Sequence, residues 1–326
     1  MRRRHILQLA HCISLAPALA RANAPVWTEA SAMPISVQEV YPAVHQGKIY
    51  IAGGIVTTGG GLGFTDKSFV YDPKMDRWQD APALPQTLHH VALLSTGDQL
   101  LAFGGFNGGA GHPWRMRDTV YQLEDDRWQP IYAMPTPQAE GVVTLHNKTI
   151  HIVTGQQPRG KANQQRSDHI EGNLHWTLDR GQWHTLAPIP TPRNSATGGW
   201  IDDVMVITGG RTANGNLSTT EIYDAKADRW HTAAPLPLPQ AGTASVVVNN
   251  ELVVFGGEIF TPQAGVFPNV WRYNLAADQW RALPDLPTPR HGLGACLIGN
   301  RAYVIAGATA PGGRGTTGVN EVLNFA

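Results

Sequence analysis

Six tryptophans, each followed 26 residues later by a doublet of small residues, restrict the fold of this chain more than any other feature. They are Trp27, Trp78, Trp128, Trp183, Trp230 and Trp280. The doublets are Gly53-Gly54, Gly104-Gly105, Thr154-Gly155, Gly209-Gly210, Gly256-Gly257 and Ala306-Gly307. A spacing held this strictly means one supersecondary unit used repeatedly, each copy covering the apolar face of its neighbour.

Further markers define the unit. A proline stands seven residues after every one of these tryptophans, from Pro34 to Pro287. Seven residues before five of them stands an aromatic: Tyr71, Tyr121, Trp176, Tyr223 and Tyr273. Between proline and doublet lies a pair such as Gln46-Gly47 or Asn249-Asn250, which tolerates the positive φ angles of a two-residue hairpin. Apolar runs such as Lys48-Ile-Tyr-Ile-Ala52 and Glu251-Leu-Val-Val-Phe255 follow these turns and read as strands. The unit is therefore a first strand, a tight turn, a second strand ending in the doublet, a variable loop, a third strand and a fourth strand carrying Trp.

The distance from doublet to next Trp runs 25, 24, 29, 21 and 24 residues. Length variation thus falls between the second and third strands. A rigid frame with variable loops on one face is a common way to build a binding site. Asn320–Phe325 matches a third strand with no Trp strand after it, and Val26-Trp27-Thr28 is a Trp strand with no partner before it. Pairing the two closes a ring and removes the exposed edges that invite aggregation. The expected fold is an all-β, six-bladed propeller over residues 25–326, forming one domain and acting as a monomer.

With these markers the chain resembles the kelch-repeat proteins over essentially all of residues 25–326. Pro287-Thr-Pro-Arg-His-Gly-Leu-Gly294 and Asn269-Val-Trp-Arg-Tyr-Asn274 are similar to segments of secreted bacterial kelch proteins grouped by fold with galactose oxidase. The resemblance also reaches, more distantly, the periplasmic sialic acid mutarotases. It implies a fold; function has to be argued from a site.

Arg2-Arg3-Arg4, a modestly apolar stretch from Ile6 to Leu19 and small residues near Ala24 read as an export signal over residues 1–24, not a membrane span, because the stretch is short and interrupted. Arg3-Arg4 also fits a twin-arginine signal. The expected location is periplasmic or secreted. Cys12 would leave with the signal, so Cys296 remains alone, and core packing is its expected role. With 25 basic and 25 acidic residues and no basic run after the signal, nucleic acid is not an expected partner.

The repeats also align a set of polar residues at the start of each first strand: Glu39, His89-His90, Glu140, Arg193-Asn194, Gln240 and Arg290-His291. They are expected to form a ring around the central channel on the loop-bearing face. The variable loops add Trp114, Arg166, Asp168, His169, Arg211, Glu258 and Phe260. Polar groups at a channel mouth also serve structure by pairing with each other or with carbonyls. As a set they make a pocket of Arg, Glu, His and aromatic groups, suited to a hydroxyl-rich or anionic ligand. Trp114 either faces a sugar or packs the loop.

Three functions follow. One is a binding module for a carbohydrate, a small anion or a protein loop, with Arg193, Asn194, Arg211, Gln240, Glu258, Arg290, His291, Asp168, His169 and Trp114 as ligand contacts. The second, suggested by the mutarotase resemblance, is a sugar or sugar-acid isomerase using Glu140, Glu39 or His90 as acid and base. The third is a copper oxidase, which lacks a Tyr partner for Cys296 here. No cofactor and no metal are expected.

Overall fold

The computed structural model describes residues 24–58, 61–109 and 111–326. The export signal expected over residues 1–24 therefore lies, save Ala24, outside the described residues, as does Cys12.

Six four-stranded antiparallel sheets are arranged as blades. Blade 1 runs from its inner to its outer strand as Ala43–His45, Lys48–Ala52, Ser68–Asp72 and Arg77–Ala81. Blades 2 to 5 repeat this order, with inner strands Ala92–Ser95, Val142–His146, Thr197–Ile201 and Ala244–Val248. Blade 6 takes three strands from residues 294–324 and its outer strand, Val26–Ala30, from the beginning of the described chain. Pairing runs from Val26↔Asn324 to Ala30↔Asn320. Each inner strand touches the next, and that of blade 6 touches that of blade 1. The ring is closed as the spacing requires.

The apolar core is divided among the seams: one buried cluster lies at each of the six blade-to-blade interfaces. The tryptophans lock these seams. Each indole N–H donates to a carbonyl just past the outer strand of the preceding blade, as Trp78 does to Ser31 (2.7 Å), Trp230 to Ala187 (2.8 Å) and Trp280 to Ala234 (2.9 Å). Trp27 donates to Pro284 and so joins blade 6 to blade 5. Blades 1, 4 and 5 add a second lock. Tyr71, Tyr223 and Tyr273 donate to Asp76, Asp228 and Asp278, whose carboxylates also accept the backbone N–H of Ser31, Ala187 and Ala234.

The doublets explain themselves by close approach. The N–H of each second residue donates to a carbonyl of the next blade: Gly54 to Leu88, Gly105 to Gln138, Gly155 to Arg193, Gly210 to Gln240, Gly257 to Arg290 and Gly307 to Val37. A Cβ on Gly53 would lie 2.3 Å from the Leu88 carbonyl oxygen, too near for any other residue to fit without displacing the next blade. Where Thr154 replaces the first Gly, its hydroxyl bonds the Gly172 and Arg193 carbonyls instead.

The repeat is less uniform than its spacing. In blades 1, 4 and 5 the residue opposite Trp is the tyrosine. In blades 2 and 3 a two-residue turn moves the register, and Leu123 and Leu178 stand opposite Trp128 and Trp183. The seam between blades 3 and 4 is also unlike the others. His151 and His175, both buried, meet there at 2.9 Å beside Trp200, Tyr223 and Trp230. Burial first, and then an adjacent imidazole, lowers both: His146 acts on His151, which falls to about 4, and His151 acts on His175, which falls to about 3.

Two outcomes are expected. Asp278→Ala strips the acceptor from Tyr273 and Ala234, and should lower the urea midpoint by an amount corresponding to about 1–3 kcal/mol with the slope unchanged. At the histidine seam, the unfolded chain binds protons from its ordinary imidazole range downward while the folded chain does not. Folding stability therefore falls as pH drops from that range toward 4. Replacing both residues, His151→Leu with His175→Leu, should recover on the order of 1 kcal/mol at pH 5 relative to pH 7.5, allowing for solvent screening, measured by thermal unfolding at both pH values.

Candidate functional site

Counting from Trp places the site. The residue twelve positions after each tryptophan is Glu39, His90, Glu140, Ser195, Gly242 or Gly292. All six have left-handed backbone, with φ between 53° and 65°. The backbone N–H groups of Glu39, His90, Ser195, Gly242 and Gly292 donate to the equivalent carbonyl of the preceding blade, so this ring surrounds the axis. Glycine adopts that geometry freely in blades 5 and 6, whereas each side chain held there in blades 1 to 4 costs roughly 1 kcal/mol or more. A second rung lies 28 positions after each Trp: Ile55, Phe106, Gln156, Arg211, Glu258 and Ala308. Each of these backbones bridges to the residue just before the axial one.

Together the two rungs build a cyclic side-chain network. His90 Nε2 lies 3.1 Å from Glu39 and 3.4 Å from Glu140. Glu140 accepts from the Ser195 hydroxyl at 2.9 Å, and Arg211 donates to that hydroxyl at 3.2 Å. Arg211 also pairs with Glu258 at 2.8 Å. His291 Nδ1 closes the circle, 3.4 Å from Glu258 and 3.7 Å from Glu39.

Hydrogen-bond bookkeeping fixes the charge on His90. His89 Nε2 is 2.7 Å from the Pro113 carbonyl and must donate to it. Burial, then the adjacent His90, holds His89 well below the ordinary imidazole range, so it is neutral and its Nδ1 accepts. His90 Nδ1, 2.7 Å away, is therefore the donor. Its Nε2 faces two carboxylates and satisfies them by donating as well. Burial opposes ionisation of Glu39, yet the charge on His90, with His291 and Arg211, outweighs it and holds the carboxyl well below its usual range. Burial resists the charge on Arg211, but Glu258, Glu140 and Glu39 override it and raise its pKa.

Above this floor is a cavity of about 180 Å³. Glu39, His90, Arg211 and Glu258 form its base, and Gln38, Ile55, Leu62, Trp114, Arg166, Phe260 and Gly312-Gly313 its sides. The Arg166 guanidinium lies 3.8 Å over the Trp114 ring and that of Arg211 5.2 Å over Phe260. Blade 3's long loop delivers Arg166. Asn163 in that loop exchanges two hydrogen bonds with the backbone of Met116 in blade 2. Below the ring, on the channel side, Tyr41 has its pKa raised well above normal, by burial and then by Glu39 and Glu140.

The residues expected from sequence divide sharply. Glu39, His90, Glu140, Arg211, Glu258 and His291 are brought together, and Trp114 both packs against His89 and Phe106 and lines the cavity. Arg193, Gln240 and Arg290 do not join the ring. They stand ten residues after Trp, not twelve, and turn into their own blades. Arg193 pairs with Glu221 and donates to the Thr191, Gly209 and Thr219 carbonyls. Arg290 pairs with Glu321 at 2.6 Å and donates to the Thr288 and Val304 carbonyls. Gln240 bonds the Gly256 carbonyl and Trp271. All three have no exposed surface, so they brace strands and face no ligand. Asn194 Oδ1 lies 2.9 Å from the Ser195 hydroxyl and competes with Glu140 for its one proton. Asp168 caps the backbone N–H groups of Gln164 and Gln165, and His169 is buried against Phe106. Sequence reasoning passed over Gln38, Ser195 and Tyr41; the constant count from Trp would have found Ser195. No group of three or more metal-ligating side chains occurs among the described residues.

Arg290→Met should therefore behave as a structural variant. It leaves Glu321 buried without its partner and should cost about 3–5 kcal/mol, whereas pairing it with Glu321→Leu should recover most of that loss in urea unfolding.

Comparison with known proteins bears on this geometry. Residues 172–307 match the KLHDC2/KLHL20/DRC7 Kelch-repeats domain and residues 43–85 match the Kelch motif. The chain is 27% identical over 212 residues to Kelch-like protein terF of Aspergillus terreus, covering 61% of this chain and 45% of that protein. It is 25% identical over 197 residues to Beta-scruin of Limulus polyphemus, covering 57% and 21%. The chain thus spans less than half the length of either relative. The solved structure of YjhT superposes with a TM-score of 0.74 at 15% identity, over 90% of this chain and 95% of that one. That likeness is one of fold.

Proposed function

Because the chain belongs to the kelch-repeat family of β-propellers, a fold that serves binding and scaffolding, we propose that it is an exported binding protein whose loop-face pocket takes a carbohydrate. One observation carries this reading. Glu39, His90, Glu140 and Ser195 hold a left-handed backbone that glycine holds in the other two blades, and strain of this kind persists where side chains are needed at that point. Glu39 and His90 line a cavity together with Arg211, Glu258, Trp114 and Phe260, and Glu140 and Ser195 are tied to them through His90 and Arg211. The cavity is small, about 180 Å³, and is walled by Trp114 and Phe260, so a single sugar ring fits it better than a peptide segment. The export and the periplasmic or secreted location rest on residues 1–24.

A second reading, a sugar mutarotase, is favoured by one specific arrangement. A doubly protonated His90 lies beside an ionised Glu39, and both line the cavity. Glu39 would take the proton of an anomeric hydroxyl while His90 gives one to the ring oxygen; ring closure returns both.

A thermal-shift panel of neutral monosaccharides, sugar acids and short peptides tests both readings. Saturable stabilisation by a sugar, raising Tm by a few degrees at about 100 Kd, is expected and should disappear in Trp114→Ala. If no sugar stabilises the protein, the binding reading fails. Polarimetry with the sugar that binds decides the second: unchanged anomerisation rates rule out mutarotation.

A further inference from the structure

Gln38 is 1% exposed, lines the cavity, and neither atom of its amide has a hydrogen-bond partner among the described residues. Buried polar groups are almost always paired, and an orphan calls for an explanation. Its backbone is tied on both sides to Ile55 at 2.9 Å, so the side chain is held in place. An amide offers both a donor and an acceptor. The matching ligand group is one that does both, which a hydroxyl does and a carboxylate or phosphate does not.

The floor points the same way. Glu39, Glu140 and Glu258 contribute three carboxylates, and His90, Arg211 and His291 lie among them. Arg211 is already engaged by Glu258 and Ser195, and the second Glu258 oxygen accepts from the Gly312 N–H. Every cationic group at the bottom thus already faces a carboxylate, so an anion reaching it finds no free cation, while hydroxyl groups meet acceptors. Arg166 lines the cavity from an exposed position, with its guanidinium stacked on Trp114 and not set among the carboxylates of the base.

We infer that the pocket selects an uncharged, hydroxyl-rich ligand over its acidic counterpart, and that the Gln38 amide is the group that reads a ligand hydroxyl by donating to it and accepting from it. This rests on the carbohydrate reading above and narrows it. Gln38 contributes to recognition and, in the absence of ligand, weakens the fold, because its amide is desolvated with nothing in return.

The experiment is calorimetric titration of the full chain with glucose, galactose and mannose and with the matching glucuronic, galacturonic and mannuronic acids, on wild type, Gln38→Leu and Gln38→Met. For whichever neutral sugar binds, the acid is expected to bind at least tenfold more weakly. Both Gln38 variants should bind the neutral sugar at least tenfold more weakly than wild type, while their ligand-free Tm stays equal or rises. A purely structural role for Gln38 would instead lower that Tm. An acid that binds as tightly as its neutral parent overturns the proposed selectivity and leaves the carbohydrate reading standing. Unchanged affinity in both Gln38 variants overturns the role of the amide. Binding of neither sugar class overturns the reading and the inference together.

Discussion

The hydrogen bond from the second doublet residue to a carbonyl of the next blade is the contact on which the rest of this molecule depends. It occurs at all six seams and draws the tops of the blades so close that a Cβ at Gly53, Gly104, Gly209 or Gly256 would press on a carbonyl oxygen of the next blade. The left-handed turn two residues beyond that carbonyl follows, and with it the backbone ring around the axis. On the outer side, the indole-to-carbonyl bonds hold the same seams from the opposite edge of each sheet. Each seam is thus clamped at the axis and at the rim, with a small apolar cluster between.

That clamping separates scaffold from site within three residues of sequence. The side chain ten positions after Trp is turned into its own blade, where Arg193 and Arg290 are desolvated and need Glu221 and Glu321 to be tolerable. The side chain twelve positions after Trp emerges at the axis, where Glu39, His90 and Glu140 meet. Polar residues two positions apart in this segment therefore have opposite fates, set by whether the local backbone points them along the blade or across the channel.

The axial network is held together by charge alternation: carboxylate, imidazolium, carboxylate, hydroxyl, guanidinium, carboxylate and imidazole follow one another around the circle. Low dielectric makes such a circuit strong when complete and costly when broken. It also leaves the base of the pocket without an unpaired cation, and this, more than any single residue, gives the pocket its chemical preference.

The blade count, the ring closure and the structural duty of the six tryptophans could be read from spacing alone, because a closed propeller tolerates no change in the segment that joins one blade to the next. Glu39, His90 and Glu140 could be read too, since they stand at one fixed count from Trp. Arg193, Gln240 and Arg290 show where that reading ran out: Arg-Asn and Arg-His resemble His-His in composition but stand one residue earlier in the count from Trp, and the backbone there turns the arginine into its own blade. The orphaned amide of Gln38 and the stacking of Arg166 on Trp114 had no local signature. They arise because loops from all six blades, far apart in sequence, arrive over one opening, and whether a polar atom there finds a partner is decided by that convergence. Sequence thus determined the periodic frame, through contacts that repeat; tertiary structure decided the site, through contacts that occur once.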